Sequence, residues 1–96
     1  MNQLNSIKDK LTRLKPELAK RFYVNSIGLF GSVVRDDFNN SSDIDIIVDF
    51  TKPIGIEFVD LADFIESKLM KKVDLVSRNG VKTKYFNQIE SEIIYV

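Results

Sequence analysis

The chain contains no cysteine and no histidine. Their absence removes disulfides, zinc sites of the usual ligand type, catalytic thiols and imidazole bases. Net charge is also missing, because Lys plus Arg and Asp plus Glu both number 14. No overall basic field therefore draws the chain to nucleic acid or to an anionic membrane. No apolar run is long enough to span a bilayer and no secretory leader is recognisable, so the expected location is the cytoplasm. With 2 prolines and 4 glycines there is no linker-like tract, and no repeat or low-complexity segment stands out. A length of 96 residues with 44% hydrophobic content suits one domain, 1–96, around a small core.

What is present is concentrated between Ile27 and Phe50. An apolar run from Ile27 to Phe30 breaks at Gly31-Ser32, and a second one begins at Asp43-Ile44-Asp45, which reads as strand, turn, short helix, loop, strand. The short helix is expected from Ser32 to about Asp37, after which Asn39-Asn40-Ser41-Ser42 forms a polar turn. In the second strand, Ile44, Ile46, Val48 and Phe50 share one side, and Asp43, Asp45, Ile47 and Asp49 share the other. Two residues of strand rise put the Asp43 and Asp45 side chains roughly 7 Å apart at Cβ. Carboxylates placed so repel each other unless a cation joins them, and hard oxygen ligands suit Mg²⁺ or Mn²⁺. Gly31 permits a tight turn and close approach of a ligand. A helix starting at Ser32 would aim N–H groups and a hydroxyl at an anion. An anion cradle beside a dicarboxylate metal site is what a nucleoside triphosphate with its magnesium requires. Arg35 has open readings: a partner of phosphate or of a motif carboxylate, or a purely structural ion pair. Asp36, Asp37 and Asp49 read as solvated charges.

The rest of the chain reads as scaffold. Leu4, Ile7, Leu11, Leu14 and Leu18 lay an apolar stripe along a helix from Met1 to Phe22. Pro16 is expected to break it near Leu14-Lys15, with a second short helix running to about Arg21. Tyr23 to Phe30 is the first strand. A helix follows Gly55 to about Met70, with Phe58, Leu61, Ala62, Ile65 and Leu69 inward. A strand at Val73 to Val76 carries Asp74. On its own Asp74 is weak evidence, but laid beside the Asp43 to Asp45 strand it completes a three-carboxylate cluster. Val81 to about Ser91 is expected as a helix with Tyr85, Phe86 and Ile89 inward, and Ile93 to Val96 as a terminal strand. Alternating helices and strands argue for an α/β domain with a small mixed sheet backed by helices.

Gly31-Ser32, ten intervening residues and Asp43-Ile44-Asp45 resemble the Gly-Ser and Asp-x-Asp signature of the DNA polymerase β-like nucleotidyltransferase superfamily. The flanking Gly28-Leu29-Phe30, Arg35 and Ser42, and the closing Ile93-Ile94-Tyr95-Val96, resemble its smallest branch, the minimal nucleotidyltransferases that act as antitoxins to HEPN-domain toxins. One departure is Val34-Arg35-Asp36, where that branch often has Ala-Arg-Gly. The resemblance implies an α/β (α+β), palm-like fold and transfer of AMP from ATP to a tyrosine hydroxyl of a HEPN ribonuclease toxin, with pyrophosphate leaving. It implies Asp43, Asp45 and Asp74 as catalytic metal ligands for Mg²⁺ or Mn²⁺, and Gly31, Ser32 and Arg35 at the ATP phosphates. No residues are left over for an acceptor-holding subdomain, so the acceptor is expected on another macromolecule. Two competing classes stay open: a module that masks its toxin by contact alone, and a transferase acting on a small molecule such as an aminoglycoside. A metal-dependent nuclease is a third, disfavoured by the zero net charge.

Overall fold

A computed structural model describes residues 3–35, 38–39 and 41–96. The expectations for Asp36, Asp37 and Asn40, and for the helix start at Met1, lie outside the described residues. The first helix, α1 (Gln3–Phe22), runs through Pro16 as one element, so the expected break near Leu14-Lys15 does not form. Proline at this position removes the hydrogen bond to the Thr12 carbonyl. Both Thr12 and Pro16 lie on the exposed side, which leaves that carbonyl open to solvent, while Leu11 and Leu18 on the opposite side are fully buried. Burial of two leucines contributes about 3–6 kcal/mol, enough to offset the ~3 kcal/mol that an interior proline costs. Pro16→Ala is therefore expected to raise unfolding stability by about 1–3 kcal/mol, part of the gain being lost to a freer unfolded chain. A higher urea midpoint at unchanged slope is the expected result. An unchanged midpoint would mean that the helix already bends at no cost.

Tyr23, in the left-handed region at φ 59°, turns the chain out of α1 into β1 (Val24–Phe30). A 3₁₀ turn at Gly31–Val33 follows, then β2 (Ile44–Phe50), α2 (Glu57–Leu69), β3 (Val73–Ser77), α3 (Thr83–Ile89), a second 3₁₀ turn at Glu90–Glu92 and β4 (Ile94–Tyr95). The sheet order is β3-β2-β1-β4. β1 lies antiparallel to β2 and to β4, whereas β2 and β3 are parallel, the parallel pair being joined by the α2 crossover. This is the small mixed sheet that the alternating pattern predicts.

The two faces of the sheet have different fates. Ile44, Ile46 and Val48 of β2, with Ile27 and Leu29 of β1, turn toward α1 and α2 and form the main core with Leu11, Leu18, Leu61 and Ile65. On the other face Phe30 and Ile47 pack under Phe86 and Ile89 of α3. That second cluster covers only part of its face, and the β2 and β3 ends that carry the aspartates stay open. α3 is shorter than the expected Val81 to Ser91, and Tyr85 is 47% exposed instead of inward. A helix of 7 residues presents one stripe to the sheet, here Phe86 and Ile89, and a residue next to Phe86 points about 100° away from it. Among the described residues no helix is long and apolar enough to cross a membrane.

Candidate active site

The site is assembled where β1 ends. Gly31 is buried and adopts φ 76°, a left-handed conformation that a side chain would strain. Space is as restrictive as conformation, because a Cβ at this position would overlap Asp45 Oδ2 and lie 3.0 Å from Asp45 Cγ. The glycine thus lets the turn close against the strand opposite, on which Phe30 pairs with Asp45. The α-helix expected from Ser32 is replaced, through Arg35, by a 3₁₀ turn and a bend in which Val34 and Arg35 N–H both donate to the Gly31 carbonyl, at 3.0 and 3.2 Å. Two consecutive β-branched residues, Val33 and Val34, disfavour helix, and Val33 is drawn into the main core. Ser32, half-buried, sits on this turn beside Gly31, without the dipole of a full helix behind it.

The carboxylates come from two neighbouring strands. Asp45 and Asp74 are partners in the parallel β2–β3 register, so they stand side by side on one face, and Asp43 lies one residue before β2. Asp43 and Asp74 are exposed, and Asp45 is half-buried. Burial first, and then the charges of Asp74 and Asp43, together push the Asp45 carboxyl up from the usual 3.8 to about 6, with Arg35 opposing and Glu92 adding a smaller push. Asp45 therefore feels the charge of both other aspartates read from the sequence.

Glu92 was not legible in the sequence. Its Oε1 accepts a hydrogen bond from Gly31 N–H at 3.0 Å, and its Oε2 lies 3.3 Å from the Arg35 guanidinium. Arg35 thus forms an ion pair with a carboxylate outside the motif. β4 pairs Gly28 with Tyr95 and Leu29 with Ile94, and the same register carried onward sets Glu92 opposite Gly31. Only that pairing reveals it, since nothing near Glu92 in sequence marks it out.

Among the described residues no group of three or more acidic, histidine or cysteine side chains is gathered as a ready-made metal cage. The donor set nevertheless fits a hard divalent ion that takes part of its shell from a substrate, as Mg²⁺ does with one or two carboxylates plus phosphate oxygens. The repulsion that raises Asp45 is what such an ion would relieve. Beside Asp43 opens a cleft of about 340 Å³ lined by Ser41, Ser42, Asp43, Met70, Lys71 and Lys72.

A raised Asp45 pKa has a consequence for stability. The protonated form is favoured by the fold, so its contribution is complete below pH 3.8 and is lost as pH rises through about 6. In metal-free buffer Asp45→Asn is expected to stabilise the fold at pH 8 by on the order of 1 kcal/mol, discounted for the partial exposure of the group. The gain should shrink toward zero at pH 4, as read by thermal unfolding at both values. Destabilisation by Asp45→Asn at pH 8 would show instead that the charge holds the fold together.

Comparison with known proteins bears on this geometry. A model of the nucleotidyltransferase domain family matches residues 11–96. The protein adenylyltransferase MntA of Thermococcus cleftensis is 39% identical over 97 residues, covering 100% of this chain and 98% of the relative. A solved structure assigned as a minimal nucleotidyltransferase superposes with a TM-score of 0.81 at 26% identity, over 98% of this chain and 95% of the other. A mutant crystal structure of the toxin–antitoxin pair MntA–HpeT matches with a TM-score of 0.67 at 26% identity, over 97% of this chain and 70% of that one.

Proposed function

Because the chain belongs to the nucleotidyltransferase domain family, we propose that it is an antitoxin that transfers AMP from ATP to a tyrosine hydroxyl of a HEPN-type ribonuclease toxin, silencing it. The observation that carries the reading is the row Asp45–Asp74 standing in register beside the Gly31-Ser32 turn, on the open part of a sheet face. The adenylyltransferase relative of the same length and the match to a toxin–antitoxin structure support the acceptor class. A cytoplasmic location, with ATP and Mg²⁺ at hand, belongs to the same reading.

The residues take these roles. Asp43 and Asp45 would hold Mg²⁺ or Mn²⁺ together with the triphosphate, and Asp74 would complete the ligand set on the acceptor side. Such an ion, when bound, supplies the positive charge that stabilises developing negative charge on the phosphate oxygens. The tight turn at Gly31 brings Ser32 to the β- and γ-phosphates, where its hydroxyl donates a hydrogen bond, and Arg35 adds charge from the same turn. The acceptor tyrosine oxygen bonds to the α-phosphorus as the bond to the departing pyrophosphate breaks. Asp74, exposed next to Asp45, orients that hydroxyl and takes its proton or passes it to solvent. The 96 residues act in this scheme as one catalytic unit, with the acceptor delivered by the partner.

The test is intact-mass measurement of the toxin after incubation with this chain, ATP and Mg²⁺. One or more AMP units on the toxin, absent when Asp43→Ala is used, is the expected result. A stable, inhibitory complex with no gain in mass would overturn transfer and leave masking by contact as the function.

A further inference from the structure

We infer that Glu92 is a positioning residue of the phosphate-binding turn, holding Gly31 and Arg35 in the arrangement that receives a triphosphate. The inference rests on the nucleotide reading above. One carboxylate bonds two groups of that turn that differ in kind: the backbone N–H of Gly31 at 3.0 Å and the guanidinium of Arg35 at 3.3 Å. The Glu92 side chain is 26% exposed, so its bond to Gly31 N–H forms in partial shelter from water and keeps more of its strength, whereas the Arg35 side chain, 56% exposed, meets it at the surface.

The turn needs such a tie. Gly31 holds a left-handed conformation against Asp45, and the 3₁₀ turn after it lacks the repeated hydrogen bonds with which a longer helix would fix its own start. Arg35 sits at the end of the turn on a long side chain, which loses rotamer freedom when it is held. Glu92 meets that cost before any nucleotide arrives, and so presents Ser32 and Arg35 ready oriented. The tie also joins the phosphate turn to the chain's last strand, since Glu92 ends the second 3₁₀ turn and β4 follows on the edge of β1. Because Gly31 N–H is engaged by Glu92, the hydrogen bonds to phosphate fall to Ser32 and Arg35.

The opposite role, a carboxylate that occupies the phosphate seat and must be displaced, predicts opposite results, and two variants decide between them. Glu92→Gln keeps an oxygen acceptor for Gly31 N–H but loses the charge facing Arg35, and Glu92→Ala loses both. Affinity for ATP·Mg²⁺, measured by calorimetry on the full chain, is expected to fall roughly tenfold in Glu92→Ala, with Glu92→Gln in between. The Gly31 amide resonance in an ¹⁵N-labelled sample is expected to move strongly in Glu92→Ala and less in Glu92→Gln. Tighter ATP·Mg²⁺ binding in Glu92→Ala would overturn the inference in favour of a displaced carboxylate. A lower melting temperature with affinity unchanged would overturn it in favour of a purely structural bond. A wild-type chain that binds no ATP·Mg²⁺ at all would overturn the nucleotide reading itself, and this inference with it.

Discussion

Asp45→Asn is expected to lose AMP transfer by a factor of about 10³ or more, the scale of removing a group on which metal-assisted charge stabilisation depends. Asparagine is nearly isosteric, so the half-buried place of this side chain against Gly31 is still filled. What disappears is the negative charge. The same substitution removes the cost of burying a charge there and relieves the repulsion from Asp74 and Asp43, which together raise the Asp45 carboxyl to about 6, so activity and stability should move in opposite directions. That opposition is diagnostic, because loss of activity by unfolding would lower both together. Steady-state AMP transfer and thermal unfolding of one preparation check it. Retained transfer in a well-folded Asp45→Asn chain would remove Asp45 from the chemistry.

The second large effect is expected at Gly31, which has no side chain to contribute. Gly31→Ala asks a Cβ-bearing residue to hold φ 76°, a cost of about 1–2 kcal/mol, and drives the new methyl into Asp45 Oδ2. Asp45 can yield by rotating, but it then leaves the place beside Asp74 that the strand register assigns it. Displacement of a catalytic group by about 1 Å costs on the order of a hundredfold in rate. Gly31→Ala is therefore expected to fold, with a melting temperature lowered by several degrees, and to transfer AMP at about one hundredth of the wild-type rate or less. Wild-type turnover in Gly31→Ala would show that the contact between turn and carboxylate is unimportant.

How far the site can be read from the chain depends on how local its determinants are. Gly31-Ser32 and Asp43-Ile44-Asp45 are legible because a strand-end glycine and an alternating strand are short-range patterns, and β2 buries Ile44, Ile46 and Val48 as the alternation predicts, with Phe50 half-buried and Ile47 buried on the other face. Asp74 is legible only once its strand is laid beside β2, and the parallel register bears that placement out. Glu92 escapes because its partner lies 61 residues away and meets it through a terminal strand of 2 residues. The expected break at Pro16 fails for a different reason: proline's preference is local, while the burial of Leu11 and Leu18 that overrides it is tertiary. Likewise the periodicity that places Phe86 and Ile89 inward says too little about Tyr85, whose fate depends on how much of the sheet α3 covers.

The central claim is that this site moves the α-phosphoryl group of ATP, with its adenosine, onto a protein. The most direct test is a paired incubation of the chain and its proposed toxin partner with Mg²⁺ and ATP labelled at the α- or the γ-phosphate, with Asp45→Asn alongside. The account predicts label on the toxin from the α-position only, pyrophosphate in matching amount, and neither product with the variant. Label from the γ-position, or release of pyrophosphate without label on any protein, would contradict it.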